Sequence, residues 1–407
     1  MRRIKEKTDV LHPAAYGVIL YMLVGIARLP ELYPFLKPLL LGKIALVIAI
    51  IGLLKANKSE ASKIGDDKIV KLMIFFSILA IISVSYSLWI SHSLNFVMSR
   101  FLSILLMFYL IIKSTTNHKT FKAYIKTFIL CGVLLSIETI RLKGLGRLSV
   151  GSSYDPNDLA QVMCVILPFV IVFAFTSKTK VKYIYFILSV TLLFTILLTG
   201  SRGGLLGLFI VLPFLLKSLV KDFKSFMRII AVAVLGVFIG IALAPDYTVD
   251  RFNSMFNLEE DYNVTGEKGR LAIWERGIDT MLSKPYGVGI NAFTSAEGQA
   301  GGRNKAAHNM FIQVGVELGV IGLIIFLLLL KNAFSVLNNI LKTATQDSAS
   351  PPFENIYMIA LALRSSLLAY VVTGFFLSCA YTSLLFFLFG IIAVLKINQK
   401  RLFKTNE

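Results

Sequence analysis

The sequence predicts an all-α, polytopic integral membrane protein with about twelve transmembrane helices and one large extracytoplasmic loop. Of its residues, 56% are hydrophobic and the mean hydropathy is +0.75, whereas soluble domains are roughly 45–50% apolar. Apolar runs of about 16–24 residues recur along the chain, and each is long enough to cross the ~30 Å hydrocarbon core as a helix. Length and composition together predict a single membrane domain over residues 1–407.

The predicted helices follow the apolar runs in chain order. The first two are separated by the turn around Pro30 and Pro34, and the last two are split only near residues 378–380. The basic N-terminus precedes the first run without a small-residue cleavage site, which predicts a retained helix rather than a removed signal peptide. The predicted segments are 14–30, 35–54, 69–90, 95–112, 123–140, 157–176, 183–199, 204–220, 227–245, 307–330, 355–377 and 380–396.

The net charge of +19 is carried by lysines and arginines in short clusters between the apolar runs. Such clusters are typical of cytoplasmic loops beside anionic lipids, so their distribution argues against nucleic-acid binding. With the N-terminus in the cytoplasm and an even number of helices, both termini are predicted to be cytoplasmic. Residues 246–306 then form a large extracytoplasmic loop, and loops of this length usually have a function.

The large loop contains apolar residues at helical spacing, namely Leu271, Trp274, Ile278 and Leu282. This spacing predicts an amphipathic helix that lies on the membrane or covers a cavity. Residues 284–289, which include a proline and two glycines, are predicted to end that helix.

An arginine in a glycine-rich turn is the first candidate for chemistry. Arg202 lies between two predicted helices, and Gly203 and Gly204 would let a ligand approach the backbone where the second helix begins. The guanidinium group, the free N–H groups and the positive end of that helix dipole together favour an anion such as phosphate. The alternative is a structural arginine that anchors the turn at the membrane boundary.

Two further candidates, Arg270 and His308, lie in or beside the large loop. Arg270 precedes the predicted amphipathic helix and is either a second phosphate ligand or a solvated loop arginine, whereas Arg276 is interpreted as solvated. His308 is followed by Asn309 at the start of the tenth predicted helix. A histidine titrates near neutral pH and can take a proton from an attacking hydroxyl; the alternative is an interfacial residue at a helix start.

Acidic residues near the same boundary are candidate supporting residues. Glu317 lies deeper in the helix of His308, where a carboxylate is either functional or hydrogen-bonded to a neighbouring helix. Asp155 and Asp158, preceded by Arg147, are either ordinary helix caps or a pair that holds an acceptor hydroxyl or a divalent ion. No metal is predicted, because no histidine-rich or carboxylate-rich cluster accompanies them. The three cysteines lie in apolar runs without a CxxC spacing and are predicted to be buried packing residues.

Together these motifs resemble the O-antigen ligase and O-antigen polymerase superfamily of bacterial membrane glycosyltransferases. The motifs occur in the same order over residues 185–330, and the helix number and the large loop extend the resemblance over most of the chain. They are Leu-Thr-Gly-Ser-Arg-Gly-Gly at 198–204, Gly-Arg-Leu-Ala-Ile-Trp at 269–274, Pro-Tyr-Gly-Val-Gly at 285–289, His-Asn at 308–309, and Glu-Leu-Gly at 317–319 with Gly322.

The resemblance implies a twelve-helix fold whose periplasmic loop closes a cavity in the bacterial inner membrane. It implies an undecaprenyl-pyrophosphate-linked glycan as donor and a metal-independent, inverting transfer without a cofactor. Arg202 and Arg270 match the family arginines that hold the pyrophosphate, and His308 matches the family histidine proposed as the base.

The expected function is that of a ligase that transfers a glycan to a hydroxyl of an acceptor such as lipid A-core. A polymerase of the same superfamily, which would use a second lipid-linked repeat as acceptor, and a protein O-oligosaccharyltransferase remain open, because the motifs do not separate them. A transporter of the lipid-linked glycan is less favoured, because neither a broken helix nor a paired repeat is apparent in the sequence.

Overall fold

A computed structural model describes the chain over residues 10–56, 64–142, 154–220, 222–228, 249, 269–344, 353 and 355–403. Within these residues 81% are helical and none forms a strand, so the predicted all-α class is confirmed. In the same part of the chain, eight helices are long and apolar enough to cross a membrane, beside the shorter apolar helices Ala15–Gly25 and Ser383–Gln399. The predicted segment 227–245 lies almost wholly outside the described residues, so the count of about twelve stays a prediction.

We number the principal helices in chain order. They are α1 (Ala15–Gly25), α2 (Leu41–Lys55), α3 (Lys68–Ile82), α4 (Ile90–Ser114), α5 (His118–Arg141), α6 (Pro156–Thr176), α7 (Val181–Leu198), α8 (Arg202–Leu219), α9 (Arg270–Ser283), α10 (Phe293–Gln299), α11 (Met310–Thr343), α12 (Ile356–Gly374) and α13 (Ser383–Leu402). Short helical turns at Leu29–Leu32, Pro34–Leu39, Ile64–Asp66 and Ser83–Tyr86 connect some of them.

Helix α6 is the central helix of the bundle. Of its apolar stretch, 83% is buried inside the protein, compared with 33% for α7. It packs against α7, α8 and α12, which gives it protein neighbours on most sides. Four of the described helices begin at the same end of the bundle, namely α6, α8, α11 and α13. Two others, α7 and α12, end there. We call this the site end.

Helix α11 is broken at Gly319, where the backbone adopts φ 71° and ψ −174°. Residues 285–289 dock into this break by pairing with the backbone on either side of it. The three N–H···O distances are 2.9 Å from Val288 to Val316, 2.9 Å from Gly289 to Glu317 and 2.9 Å from Val320 to Pro285. The prediction of helices without a break is therefore wrong. The local sequence does not reveal the break, because the break is formed by pairing with a segment distant in sequence.

The predicted amphipathic helix of the large loop is confirmed as α9. Ile273 and Gly277 face the protein, and a Cβ atom added to Gly277 would lie 2.7 Å from the Ile312 side chain. Helix α9 therefore lies directly against the first half of α11. The predicted apolar face points mostly outward, since the exposed fractions of Leu271, Ile278 and Leu282 are 53%, 43% and 69%.

Candidate functional site

The Arg202 motif forms a tight, capped turn between α7 and α8. Gly200 takes the left-handed conformation with φ 59°, and the Thr199 hydroxyl accepts a hydrogen bond from the Ser201 N–H at 3.2 Å. The Ser201 hydroxyl caps α8 by accepting from the Gly204 N–H at 3.1 Å. Thr199 and Ser201 are buried, while Arg202 at the first position of α8 is partly exposed. The capping interactions therefore fix the position from which the guanidinium group extends.

The glycines after Arg202 lie in close contact with neighbouring elements. A Cβ atom added to Gly204 would lie 2.6 Å from the Cβ atom of Ala160 in α6, and one added to Gly203 would lie 3.3 Å from the Cβ atom of Phe376. The Cys164 thiol also donates to the Gly204 carbonyl at 3.3 Å. The small size of these residues brings the start of α8 against α6 and against the turn that follows α12.

Asp155 and Asp158 cap the site end of α6. The Asp155 carboxylate accepts from the N–H groups of Asn157 at 2.6 Å and Asp158 at 2.9 Å, and the Asp158 carboxylate accepts from the Asp155 N–H at 3.4 Å. The sequence leaves two roles open for these aspartates, helix capping and binding of an acceptor hydroxyl or a divalent ion. These hydrogen bonds match helix capping. Arg147, predicted to accompany them, lies outside the described residues.

The turn at residues 375–381, between α12 and α13, contacts each of the described elements that carry a candidate residue. We call it the junction turn. Its contacts are Phe375 with Trp274 (ring centroids 5.4 Å apart), Phe376 with Gly203, Ser378 with the His308 N–H (2.8 Å), Cys379 with Gln161 Nε2 (3.3 Å), Ala380 N–H with Gln313 Oε1 (3.3 Å) and Tyr381 with Glu317. Arg202, Arg270 and His308 thus come from three separate elements that meet around one short turn.

Sequence reasoning missed the junction turn. It predicts helices that end at residue 377 and begin again at residue 380, whereas α12 ends at Gly374 and α13 begins at Ser383. The available signal was weak, because Ser378 and Tyr381 are the only residues of the turn with a hydroxyl group.

The residues around His308 are fixed by four hydrogen bonds. The Trp274 indole N–H donates to the Ala307 carbonyl at 2.8 Å. The His308 N–H donates to the Ser378 hydroxyl at 2.8 Å. The Asn309 side chain caps α11 by accepting from the N–H groups of Phe311 at 2.9 Å and Ile312 at 3.1 Å. Asn309 is therefore a helix cap, and His308 precedes the helix rather than belonging to it.

The electrostatic environment of His308 favours a neutral imidazole. Burial lowers its pKa from the ordinary value, and the positive charges of Arg270 and Lys305 lower it too, while the Asp155 carboxylate raises it. Because a neutral imidazole can accept a proton at pH 7, His308 is suited to act as a base. The charges of Arg270 and Asp155 therefore both act on the His308 imidazole.

Glu317 lies inside the protein, where it connects α11 to neighbouring segments. Its side chain is buried, and Oε1 accepts from the Phe293 N–H at 3.3 Å. The Tyr381 hydroxyl faces the same carboxyl group. Of the two interpretations offered by the sequence, these contacts match the one in which Glu317 hydrogen-bonds to neighbouring elements.

Arg276 is not solvated, which corrects the sequence-based interpretation. Its guanidinium group pairs with the buried Glu297 at 2.6 Å (Nη2 to Oε1), and the other oxygen of Glu297 accepts from the Lys305 N–H at 2.9 Å. This ion pair joins α9, α10 and the segment that leads to His308. Glu297 was missed, since nothing in its local sequence marks it as buried.

The three cysteines are free and buried, as the sequence predicts. Cys164 and Cys379 make the contacts given above, and the Cys131 thiol donates to the Met22 carbonyl at 3.7 Å. Over the described ranges, no group of three or more His, Cys, Asp or Glu side chains is placed to hold a metal ion.

Comparison with known families identifies what part of the chain resembles. Residues 187–327 match a family model described as O-antigen ligase, and this stretch contains Arg202, Arg270 and His308. The members of this family are glycosyltransferase-like enzymes of the ligase or polymerase type. No curated protein matches the chain. The predicted resemblance to the O-antigen ligase superfamily is therefore confirmed over residues 187–327.

Proposed function

We propose that the protein transfers a glycan from undecaprenyl pyrophosphate to an acceptor hydroxyl at the periplasmic face of the bacterial inner membrane. The observation that carries the proposal is that the elements bearing Arg202, Arg270 and His308 all contact the junction turn, and these three residues lie inside the stretch that matches O-antigen ligases. Two arginines and a neutral imidazole supply the charge and the base that such a transfer needs.

The donor pyrophosphate is held by Arg202 and Arg270. Each is the first residue of a helix, α8 and α9 respectively, so backbone N–H groups and a positive dipole end lie beside each guanidinium group. Arginine binds phosphate oxygens in a bidentate fashion. As the sugar–phosphate bond breaks, the two arginines stabilise the negative charge that grows on the leaving pyrophosphate. We therefore propose a metal-independent reaction without a cofactor.

His308 acts as the general base. It accepts the proton of the acceptor hydroxyl while that oxygen bonds to the anomeric carbon. The bond between this carbon and the pyrophosphate oxygen breaks at the same time, on the opposite face. The anomeric configuration is therefore inverted. The pyrophosphate leaves with the bonding electron pair and needs no proton. A second carboxylic acid, as in glycosidases, is therefore not required.

The distribution of positive charge supports a periplasmic site. Basic clusters at residues 178–182, 217–228 and 331–342 lie at the ends of α6, α8 and α11 that are opposite to the site end. Because such clusters mark the cytoplasmic side, they support a site end that faces the periplasm and the prediction that both termini are cytoplasmic. The outward apolar residues of α9 then face lipid, where the prenyl tail of the donor resides.

Among the acceptors, we propose a lipid A-core hydroxyl as the first candidate and a second lipid-linked glycan, as used by a polymerase, as the alternative. The family match supports both, since it covers ligases and polymerases. The broken helix α11 does not favour a transporter, because residues 285–289 fill the break with backbone hydrogen bonds. Broken helices in transporters instead leave backbone groups facing a substrate cavity.

The experiment uses the purified full chain in lipid with an undecaprenyl-pyrophosphate glycan, with and without lipid A-core, and with and without a metal chelator. Product that forms only with lipid A-core identifies a ligase. Longer lipid-linked chains from donor alone identify a polymerase. Activity that disappears with chelator and returns with added cation would contradict metal independence, and no transfer to either acceptor would overturn the proposal.

A further inference from the structure

His308 has an unusual backbone conformation. Its φ is 46°, in the left-handed region, which only a few per cent of non-glycine residues adopt, although histidine, asparagine and aspartate do so more often than the others. Such a conformation persists only where the surrounding contacts require it, and it is concentrated at functional sites. The contacts that hold it therefore also control where the imidazole ring points.

Ser378 supplies the contact made to His308 itself. The Ser378 hydroxyl accepts a hydrogen bond from the His308 N–H at 2.8 Å, whereas the contacts of Trp274 and Asn309 involve the preceding carbonyl and the following turn of α11. Ser378 lies outside residues 187–327, to which the family match extends.

The junction turn is well anchored around Ser378. The Tyr370 hydroxyl contacts the Cys379 carbonyl at 2.5 Å and the Thr382 hydroxyl at 2.6 Å. Gln161 donates to the Cys379 sulfur at 3.3 Å. Leu377, Cys379 and Ala380 are buried, while Ser378 itself is exposed toward the site. An exposed hydroxyl on a fixed turn is a suitable anchor for a strained neighbouring backbone.

We propose that Ser378 is a positioning residue for the transfer reaction, because its hydroxyl keeps the His308 backbone in the left-handed conformation that directs the imidazole toward the acceptor hydroxyl. This inference rests on the proposed function of His308 as the base. Without the hydroxyl, the backbone can relax to negative φ and the ring moves away from the attacking oxygen. Donor binding is expected to be retained, because the described contacts of the junction turn with the helices of Arg202 and Arg270 are made by Phe376 and Phe375 and not by Ser378.

Three serine variants of the full-length enzyme in lipid test the inference. Ser378→Ala is expected to lower kcat by about 10- to 100-fold, as expected for a misplaced catalytic group, with the KM for the donor unchanged. Ser378→Thr keeps the hydroxyl and is expected to recover most of the lost kcat. Ser366→Ala is the matched control, because Ser366 is buried in α12 and makes no hydrogen bond among the described residues; it is expected to retain full activity.

A double-mutant cycle with His308→Ala separates positioning from general structural damage. If Ser378 acts through His308, Ser378→Ala causes no further loss of turnover in the His308→Ala background. An equal fractional loss in both backgrounds, or a fully active Ser378→Ala enzyme, overturns the positioning role and leaves the proposed function intact. Full activity of His308→Ala alone overturns the base assignment itself, and with it this inference.

Discussion

Gly287 and Gly319 lie backbone to backbone at the break in α11. A Cβ atom added to Gly287 would approach the Gly319 nitrogen to 2.6 Å, and the two residues have left-handed φ values of 92° and 71°. Side chains at these positions would separate residues 285–289 from α11. The two glycine-containing motifs therefore form one structural unit, which fixes α9 relative to the half-helix that follows His308.

Gly319→Ala is expected to destabilise the protein substantially. The new Cβ atom would overlap the Pro285 carbonyl, which adds roughly 1–3 kcal/mol for overpacking to about 1–3 kcal/mol for the left-handed conformation. Thermal unfolding in detergent measures the loss. Gly301→Ala is the matched control, because Gly301 has φ 86° and no neighbour within 4 Å of an added Cβ atom. Equal destabilisation by both variants would contradict the role of the contact.

Arg202→Ala and Arg270→Ala are each expected to abolish detectable transfer while the protein still inserts and remains monodisperse. Removing one group that stabilises transition-state charge costs about 10²–10³-fold in turnover. Glycan transfer in lipid measures the effect, and size-exclusion chromatography checks the fold. Arg303→Ala, which changes an exposed arginine of the same loop, is expected to remain active. Full activity of both Arg202→Ala and Arg270→Ala would contradict the assignment of these two arginines as phosphate ligands.

The pH dependence of transfer is expected to follow the charge around His308. A base must be deprotonated, so activity falls as the pH drops through the pKa of His308. Asp155→Asn keeps a side chain suited to capping α6 but removes the carboxylate that raises this pKa. The acid limb of the pH–rate profile should therefore move to lower pH.

Lys305→Gln is expected to have the opposite effect. Lys305 lowers the pKa of His308, so its neutralisation should move the acid limb to higher pH. Its backbone N–H, which bonds to Glu297, is retained. The shift should be smaller than that from Asp155→Asn, because the Lys305 side chain is exposed and its charge is screened by solvent. If the acid limb moved in the same direction in both variants, His308 would be excluded as the group whose titration sets that limb of the pH–rate profile.

Arg276→Ala is expected to lower the free energy of unfolding by about 3–5 kcal/mol, because it leaves the charge of the buried Glu297 unpaired. Adding Glu297→Gln should recover part of this loss, since the uncompensated charge is then removed. Chemical or thermal unfolding of the two variants in the same detergent provides the comparison. If the Arg276→Ala variant were as stable as the parent protein, the ion pair would not anchor α9 to α10.

Local sequence patterns were sufficient where a feature depends on neighbouring residues. The caps at Asp155, the helix from Arg270 and the burial of the cysteines all follow from local spacing and composition. The break at Gly319 could not be predicted, because its conformation depends on pairing with residues 285–289. The partner of Arg276 was also hidden, because helical spacing does not reveal which distant carboxylate becomes buried beside it.

The position of the junction turn also bears on whether the matched stretch could be exchanged with that of an O-antigen ligase. The stretch that matches the family ends at residue 327, whereas the hydroxyl bonded to the His308 backbone belongs to residue 378. A chimera that grafts only residues 187–327 onto another scaffold would transplant both arginines and the histidine but leave this anchor behind. Given the proposed role of Ser378, we expect that the recognisable motifs do not work by themselves and that an active graft has to include the link between α12 and α13.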